Sequence, residues 1–284
     1  MVARRIRSRC HPPGPLVWVY SRGMTGLHEG TWKRFGTRMF ATAMDDNLTQ
    51  IREFLEGVRQ DTSHYCLLDL GCGSGQNVLR YAPNGSTVYG VEVSEELAEV
   101  ARKHGIDVIV ANVEGPVLLP DETFDAVTSN QVLEHLADTD AFVSESFRLV
   151  RPGGIVVHST ENLSSWHNIA ALVLGWQAFS LTNVSKQASG VGNPLANLRT
   201  EESAEPWMQH RRVFSYRGLL ELMAAHGFVD VQIRGAGYYP LPSSVAHTDP
   251  RHAAFLTVAG RRPLPPLRIS EGCDRGEQVP DLRK

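Results

Sequence analysis

A nine-residue stretch, Leu67-Leu68-Asp69-Leu70-Gly71-Cys72-Gly73-Ser74-Gly75, constrains the chain more than any other. The apolar run from Tyr65 to Leu70 reads as a buried strand, three glycines interrupt it at alternate positions, and Gln76 to Tyr81 continues with helical character. Glycine lets a backbone turn sharply and lets a ligand approach without meeting a Cβ, while the free N–H groups of a helix start attract negative charge. A strand, a glycine loop and a helix in that order are expected to cradle part of a cofactor.

The details around the glycines narrow the choice. A dinucleotide fingerprint has its third glycine three positions after the second, where this chain has Gln76, and Asp69 stands two residues before Gly71. An acid beside the loop repels a pyrophosphate and suits a cationic ligand carrying an amine. On Leu68-Asp69-Leu70-Gly71-Cys72-Gly73-Ser74-Gly75 the sequence resembles the first motif of the class I methyltransferases that use S-adenosylmethionine (SAM). The resemblance implies SAM as cofactor, with Asp69, Gly71, Gly73 and Gly75 at its site.

Further motifs follow in the order that resemblance predicts. Val88 to Val93 reads as a second buried strand, and its Glu92 lies where a βαβ unit brings a carboxylate to a cofactor ribose, with Val93 beside it. A carboxylate accepting from both ribose hydroxyls explains an acid there. Ser94 is placed to cap a helix with Glu95 and Glu96 in its first turn, Lys103 and His104 in its last and Gly105 beyond its end. A third strand, 107–111, leads to Asn112-Val113, where the family usually has Asp; the Asn112 amide oxygen still accepts from an exocyclic amine. After a fourth strand, 124–129, Asn130-Gln131-Val132-Leu133-Glu134-His135-Leu136 resembles the family segment beside the methionine end of SAM, and a short helix is expected there. His135 is the candidate catalytic residue, as a general base or, the preferred reading, as part of the pocket wall. A helix over 138–150 ends in Arg151-Pro152-Gly153-Gly154, a turn feeding a fifth strand at 155–159.

The rhythm stops between residues 160 and 212. This insertion holds Trp166, Trp176 and Trp207 and has no Asp, Glu, Lys or Arg from Asn162 to Ser185, although His167 is there. It is expected to be a helical lid over an apolar or amphipathic acceptor, with Trp166, Trp176 and Tyr238 touching the substrate and Tyr238-Tyr239 closing the pocket. Its apolar run, 169–175, is far short of the ~20 residues that cross a bilayer. Peripheral membrane contact and a homodimer contact stay open as readings of the same segment. A helix capped by Ser215 and ending at Gly227, then strands at 229–233 and 253–259, complete the expected domain.

The 284 residues suggest one elaborated domain, 24–262, with its lid insertion at 160–212. Hydrophobic residues make up 42%, charged residues 21%, and the net charge of −3 gives no reason to expect nucleic acid as partner. Nor is an aromatic-bearing N/D-P-P-Y motif present after the fourth strand. Arg4, Arg5, Arg7, Arg9 and Arg22 precede the first acid, Glu29, so 1–23 reads as a basic disordered tail. A transit peptide and a translation start at Met24 are the other readings of that segment. From Pro263 to the end a second disordered tail is expected. Cys10, Cys66, Cys72 and Cys273 form no C-x-x-C pair, pointing to a reducing, cytoplasmic location, and the eleven histidines show no metal-ligand spacing. Leu48, Ile51, Leu55 and Val58 mark an amphipathic helix starting at an Asp45 or Asp46 cap, which in the resembling family covers the cofactor.

The expected fold is α/β, a doubly wound, mostly parallel sheet of seven strands of the Rossmann-like methyltransferase type. The expected activity is SAM-dependent methyl transfer to a small-molecule or lipid- or glycan-like acceptor, driven by proximity and alignment. A SAM-binding protein without catalysis and a nicotinamide oxidoreductase are the alternatives.

Overall fold

The computed structural model describes residues 28–57, 64–184, 190–196 and 209–266, with side chains from Gly36 onward. The expected tails, 1–23 and all but 263–266 of the second, lie outside the described residues, as do Val58, Trp207, Cys10 and Cys273.

Seven strands form one sheet: β1 Tyr65–Leu70, β2 Ser86–Glu92, β3 Asp107–Val110, β4 Phe124–Asn130, β5 Val150–Glu161, β6 Val229–Ala236 and β7 Phe255–Arg261, in the spatial order β3-β2-β1-β4-β5-β7-β6. β1 pairs in parallel with β2 on one side and β4 on the other, so the chain reverses its winding at β1 and opens a crevice beyond Leu70. β7 runs antiparallel to both β5 and β6. The sheet is buried on both faces. One face packs under α1 (His28–Glu56), α2 (Gln76–Tyr81) and α3 (Glu95–Lys103), with Ile51, Leu55, Val78, Tyr81 and Ala98 in the core. The other packs under α4 (Thr139–Leu149) and α6 (Tyr216–Ala225) through Phe142, Val143, Leu219 and Met223. This two-sided burial explains why β1 reads as a continuous apolar run without alternation. Among the described residues, no helix is long and apolar enough to cross a membrane.

Local signals set several boundaries. The Ser94 hydroxyl accepts the Leu97 N–H at the start of α3, and Gly105 takes a φ of +85° just past its end. Asp138 caps α4 by accepting from Ala141. Ser215 stands at the start of α6, but its side chain makes no capping bond.

Four sequence expectations are corrected. The helix does not begin at Asp45 or Asp46: α1 starts seventeen residues earlier, at His28. Those acids make tertiary contacts instead, Asp45 pairing with Arg80 at 2.9 Å and Asp46 accepting from the Ser243 hydroxyl and meeting His247 at 3.0 Å. Glu134-His135 lie in a single 3-10 turn, Leu133–His135, rather than an α-helix. Arg151 to Gly154 do not separate a helix from a later strand; they sit within β5 as an irregularity between the Phe124–Val150 and Ala126–Ile155 pairs. Gly154 permits that crowding, since a Cβ there would lie 2.8 Å from the Asp125 carbonyl oxygen. β7 begins at Phe255 instead of Ala253, because Pro250 to His252 form a 3-10 turn before it.

Candidate functional site

The three glycines of the loop do different work. A Cβ on Gly71 would meet Val132 at 2.7 Å, and one on Gly75 would meet Ile106 at 2.5 Å and Ala101 at 3.3 Å, so both are required by packing. Gly73 differs. Its φ is +54° and a Cβ there would meet nothing within 4 Å, leaving open space above the loop. Cys72, between them, is buried against Gly90, and burial followed by the charges of Asp69 and Glu92 pushes its thiol up to about 12. It is a packing residue and an unreactive one.

These environments predict opposite phenotypes. Gly75→Ala is expected to cost about 1–3 kcal/mol through overpacking and a forced left-handed conformation. Gly73→Ala is expected to melt closer to the unmodified chain yet bind SAM more weakly. Thermal melts with and without SAM decide; equal melts for the two variants would contradict the division of roles.

Glu92 ends β2 beside this open space. One carboxylate oxygen accepts the Gly73 N–H at 2.8 Å and the other the Ser94 N–H at 2.9 Å, so the loop and the start of α3 aim the group together. The backbone of the loop is fixed to the same strand by bonds from the Gly71 and Cys72 N–H groups to the Val91 carbonyl. Val93, next along, is exposed.

Asp69 lies buried under the loop, where its Oδ1 accepts the hydroxyls of Tyr81 and Thr128, both at 2.6 Å. Burial raises its carboxyl to about 7, against the pull of those two hydrogen bonds. The unfolded carboxyl ionises near its usual value while folded Asp69 keeps its proton, so the folded state binds more protons between about pH 4 and pH 7 and stability falls as pH rises through that window. Asp69→Asn should flatten this slope, an effect with an upper bound on the order of 4 kcal/mol. Denaturant titrations at both ends of the window are the check. Parallel losses in both proteins would mean that folded Asp69 is ionised.

On the other side of the crevice, Asn130 ends β4 and Gln131 follows with φ +56°, its backbone N–H and side-chain amide bonded to the Ser159 carbonyl and hydroxyl. The Asn130 amide oxygen accepts from Asn47 of α1 at 2.8 Å. Asn47 is wholly buried, and its own oxygen also accepts the hydroxyls of Ser159 and Thr257. It escaped sequence reasoning, although an asparagine on the apolar face of a helix, one position before Leu48, was the available signal. Asn112 is exposed and its oxygen accepts the Glu114 N–H at 3.0 Å, with Val113 half-buried beside it.

His135 belongs to a cluster that no local pattern displays. Its ring meets that of His210 edge-on at 4.9 Å, and Glu134, His135 and His210 each offer an atom within 4.8 Å of the others, a grouping able to hold a metal ion. The expectation of no metal-ligand cluster came from spacing along the chain, which cannot display this grouping, because His210 arrives from the far end of the insertion. The Arg211 and Arg212 N–H groups donate to the Glu134 carbonyl and bring it there. His210 Nδ1 lies 2.7 Å from the Ser180 carbonyl oxygen and 3.7 Å from a Glu161 carboxylate oxygen. Glu134 is buried, and burial raises its carboxyl to about 7, with the His210 charge opposing. His158, in the core below, bonds Ser129, and burial lowers its ring to about 3, so it stays neutral.

The insertion carries α5 (Trp166–Val173), whose first residue reaches the loop after β6. Trp166 Nε1 donates to the Tyr238 hydroxyl at 2.7 Å, Tyr238 donates to Asp249 at 2.5 Å, and the indole stacks on His252 at 4.4 Å. Trp166 and Tyr238 are thus brought together, whereas Trp176 is half-buried beyond the opposite end of α5. Leu172, Val173 and Leu174 point outward.

Comparison with known proteins bears on this geometry. Residues 68–158, which contain the glycine loop, Glu92 and His135, match the family described as the methyltransferase domain. Over these residues the chain is similar to the class I SAM-dependent methyltransferases. Among curated proteins it is similar to the ubiquinone biosynthesis O-methyltransferase of Mesorhizobium japonicum, 40% identical over 101 residues that cover 34% of this chain and 41% of that protein. The corresponding protein of Thiobacillus denitrificans is 35% identical over 113 residues, covering 38% of this chain and 49% of the relative. The chain spans about half the length of the curated relatives it matches. A SAM-dependent methyltransferase structure from Thermotoga maritima shares the fold, with a TM-score of 0.52 at 20% identity over 83% of this chain and 98% of that one. The family match thus runs from within β1 into β5, and the insertion and the β6–β7 edge lie outside it.

Proposed function

We propose that this chain transfers the methyl group of SAM to a small-molecule acceptor. The observation that carries the reading is the Glu92 carboxylate, aimed by the Gly73 and Ser94 N–H groups beside the open side of Gly73. The residues present fit the cofactor: a carboxylate suits two ribose hydroxyls, and the place where a Cβ would meet nothing is where a ligand can approach backbone. Val93, Asn112, Val113, Asn130 and Gln131 complete the proposed cofactor site. The bound sulfonium supplies an activated methyl group. The protein's own part is alignment and exclusion of water: Asn47 and Ser159 fix the Asn130-Gln131 turn, and Trp166 with Tyr238 fastens the start of α5 to the loop after β6. His135 is assigned to the wall of the cofactor pocket, packed against His210. The test is incubation of the full chain with methyl-labelled SAM and fractionated cell metabolites, followed by mass spectrometry. Label in a small molecule is expected; SAM binding without label transfer in any fraction would leave a binding protein and contradict the proposal.

A further inference from the structure

Beside the cofactor crevice the protein has a second concavity of about 310 Å³, between α1 and the loop after β6. That volume lies at the small end of the range for ligand pockets. Arg38, Met39 and Ala43 line it from α1, and Tyr239, Leu241 and Pro242 from the loop. Three of its hydroxyls are already engaged. Thr42 donates to the Arg38 carbonyl, Ser243 accepts from the Gly237 N–H and donates to Asp46, and Tyr238 lies between Trp166 and Asp249. Arg38 is exposed and its guanidinium, unlike those of Arg52, Arg80, Arg148 and Arg234, makes no ion pair with a described residue.

The place of this concavity matters as much as its lining. Ala43 lies one helical turn, about 6 Å, before Asn47, whose amide holds Asn130 at the end of β4. The loop is pressed onto that turn: Gly237 has φ +72°, and a Cβ there would stand 2.6 Å from the Ala43 Cβ. Ala236 pairs with Phe255 and Phe255 with Glu161, so the pocket opens at the same edge of the sheet as the crevice.

The geometry points to a binding site for an amphipathic carboxylate, its apolar body between α1 and Leu241-Pro242 and its anionic head on Arg38. This rests on the methyltransferase reading, in which the occupant is the methyl acceptor with its nucleophilic atom directed toward Asn130-Gln131. An apolar lining excludes a highly charged ligand, and a single free guanidinium selects one anionic group.

The test uses calorimetric titration of the full chain with biphenyl-4-carboxylate and with its neutral counterpart, biphenyl-4-methanol, SAM being titrated separately. Arg38→Gln is expected to weaken the carboxylate tenfold or more while leaving the alcohol unchanged, as loss of a charged hydrogen-bond donor requires. Thr42→Phe, which places a ring in the pocket, should lose both probes, and both variants should bind SAM like the unmodified chain. No binding of the carboxylate by the unmodified chain, equal binding by Arg38→Gln, or retention of both probes by Thr42→Phe overturns the site. If the probes behave as expected and SAM is not bound, the pocket stands and the methyltransferase reading is what fails.

Discussion

Glu92→Ala is expected to weaken SAM binding by about 1.5–3 kcal/mol, a rise in Kd of roughly 10- to 150-fold, in a protein that still folds. The carboxylate is the acceptor assigned to the ribose, and a hydrogen bond to a charged group is worth about that much. The same group also accepts from Gly73 and Ser94, so its removal frees two N–H groups at the rim of the open loop, where water replaces the lost acceptor. Glu92→Gln keeps the length and one oxygen and is expected to fall between the two. Calorimetric titration with SAM is the measurement. An unchanged Kd in a folded Glu92→Ala protein would remove Glu92 from the cofactor site.

Asn47→Leu is expected to destabilise the fold by about 3 kcal/mol or more. The amide serves the buried Ser159 and Thr257 hydroxyls and the half-buried Asn130, and leucine leaves all three short of a partner, at about 1–3 kcal/mol for each buried group left unsatisfied. For a domain of this size each kcal/mol shifts Tm by about 2–4 °C, so a loss of roughly 6 °C or more is expected by circular dichroism. SAM affinity should fall as well, because the Asn130-Gln131 turn is fixed through Ser159, which Asn47 also holds. A melt within about 2 °C of the unmodified chain would show that the polar hub contributes little.

The parts of this protein legible in its sequence are those whose cause is local. The run Tyr65 to Leu70 and the helix Gln76 to Tyr81 match β1 and α2 residue for residue, because an apolar run between breakers and a glycine loop leave little else for the chain to do. Glu92 was legible for the same reason, as an acid at the end of a second apolar run. Where the cause is distant, the reading failed. Asp45 and Asp46 imitate a helix cap but are there for Arg80, Ser243 and His247, contacts that no local pattern displays. Asn47 and His210 escaped because their partners come from β4, β5 and β7 in one case and from the 3-10 turn after β4 in the other. The glycine count also concealed a division of labour: Gly71 and Gly75 answer to Val132 and Ile106, and only Gly73 faces open space.

The most direct test of the central claim is thermal unfolding of the full chain with SAM or NADH added in turn. A ligand that binds only the folded protein raises its melting temperature, by about 2.7 kcal/mol of stabilisation at a hundred times its Kd. SAM is expected to raise Tm in the unmodified chain and far less in Glu92→Ala, while NADH leaves both unchanged. A folded chain whose Tm responds to NADH, or does not respond to SAM at any concentration, would contradict the account.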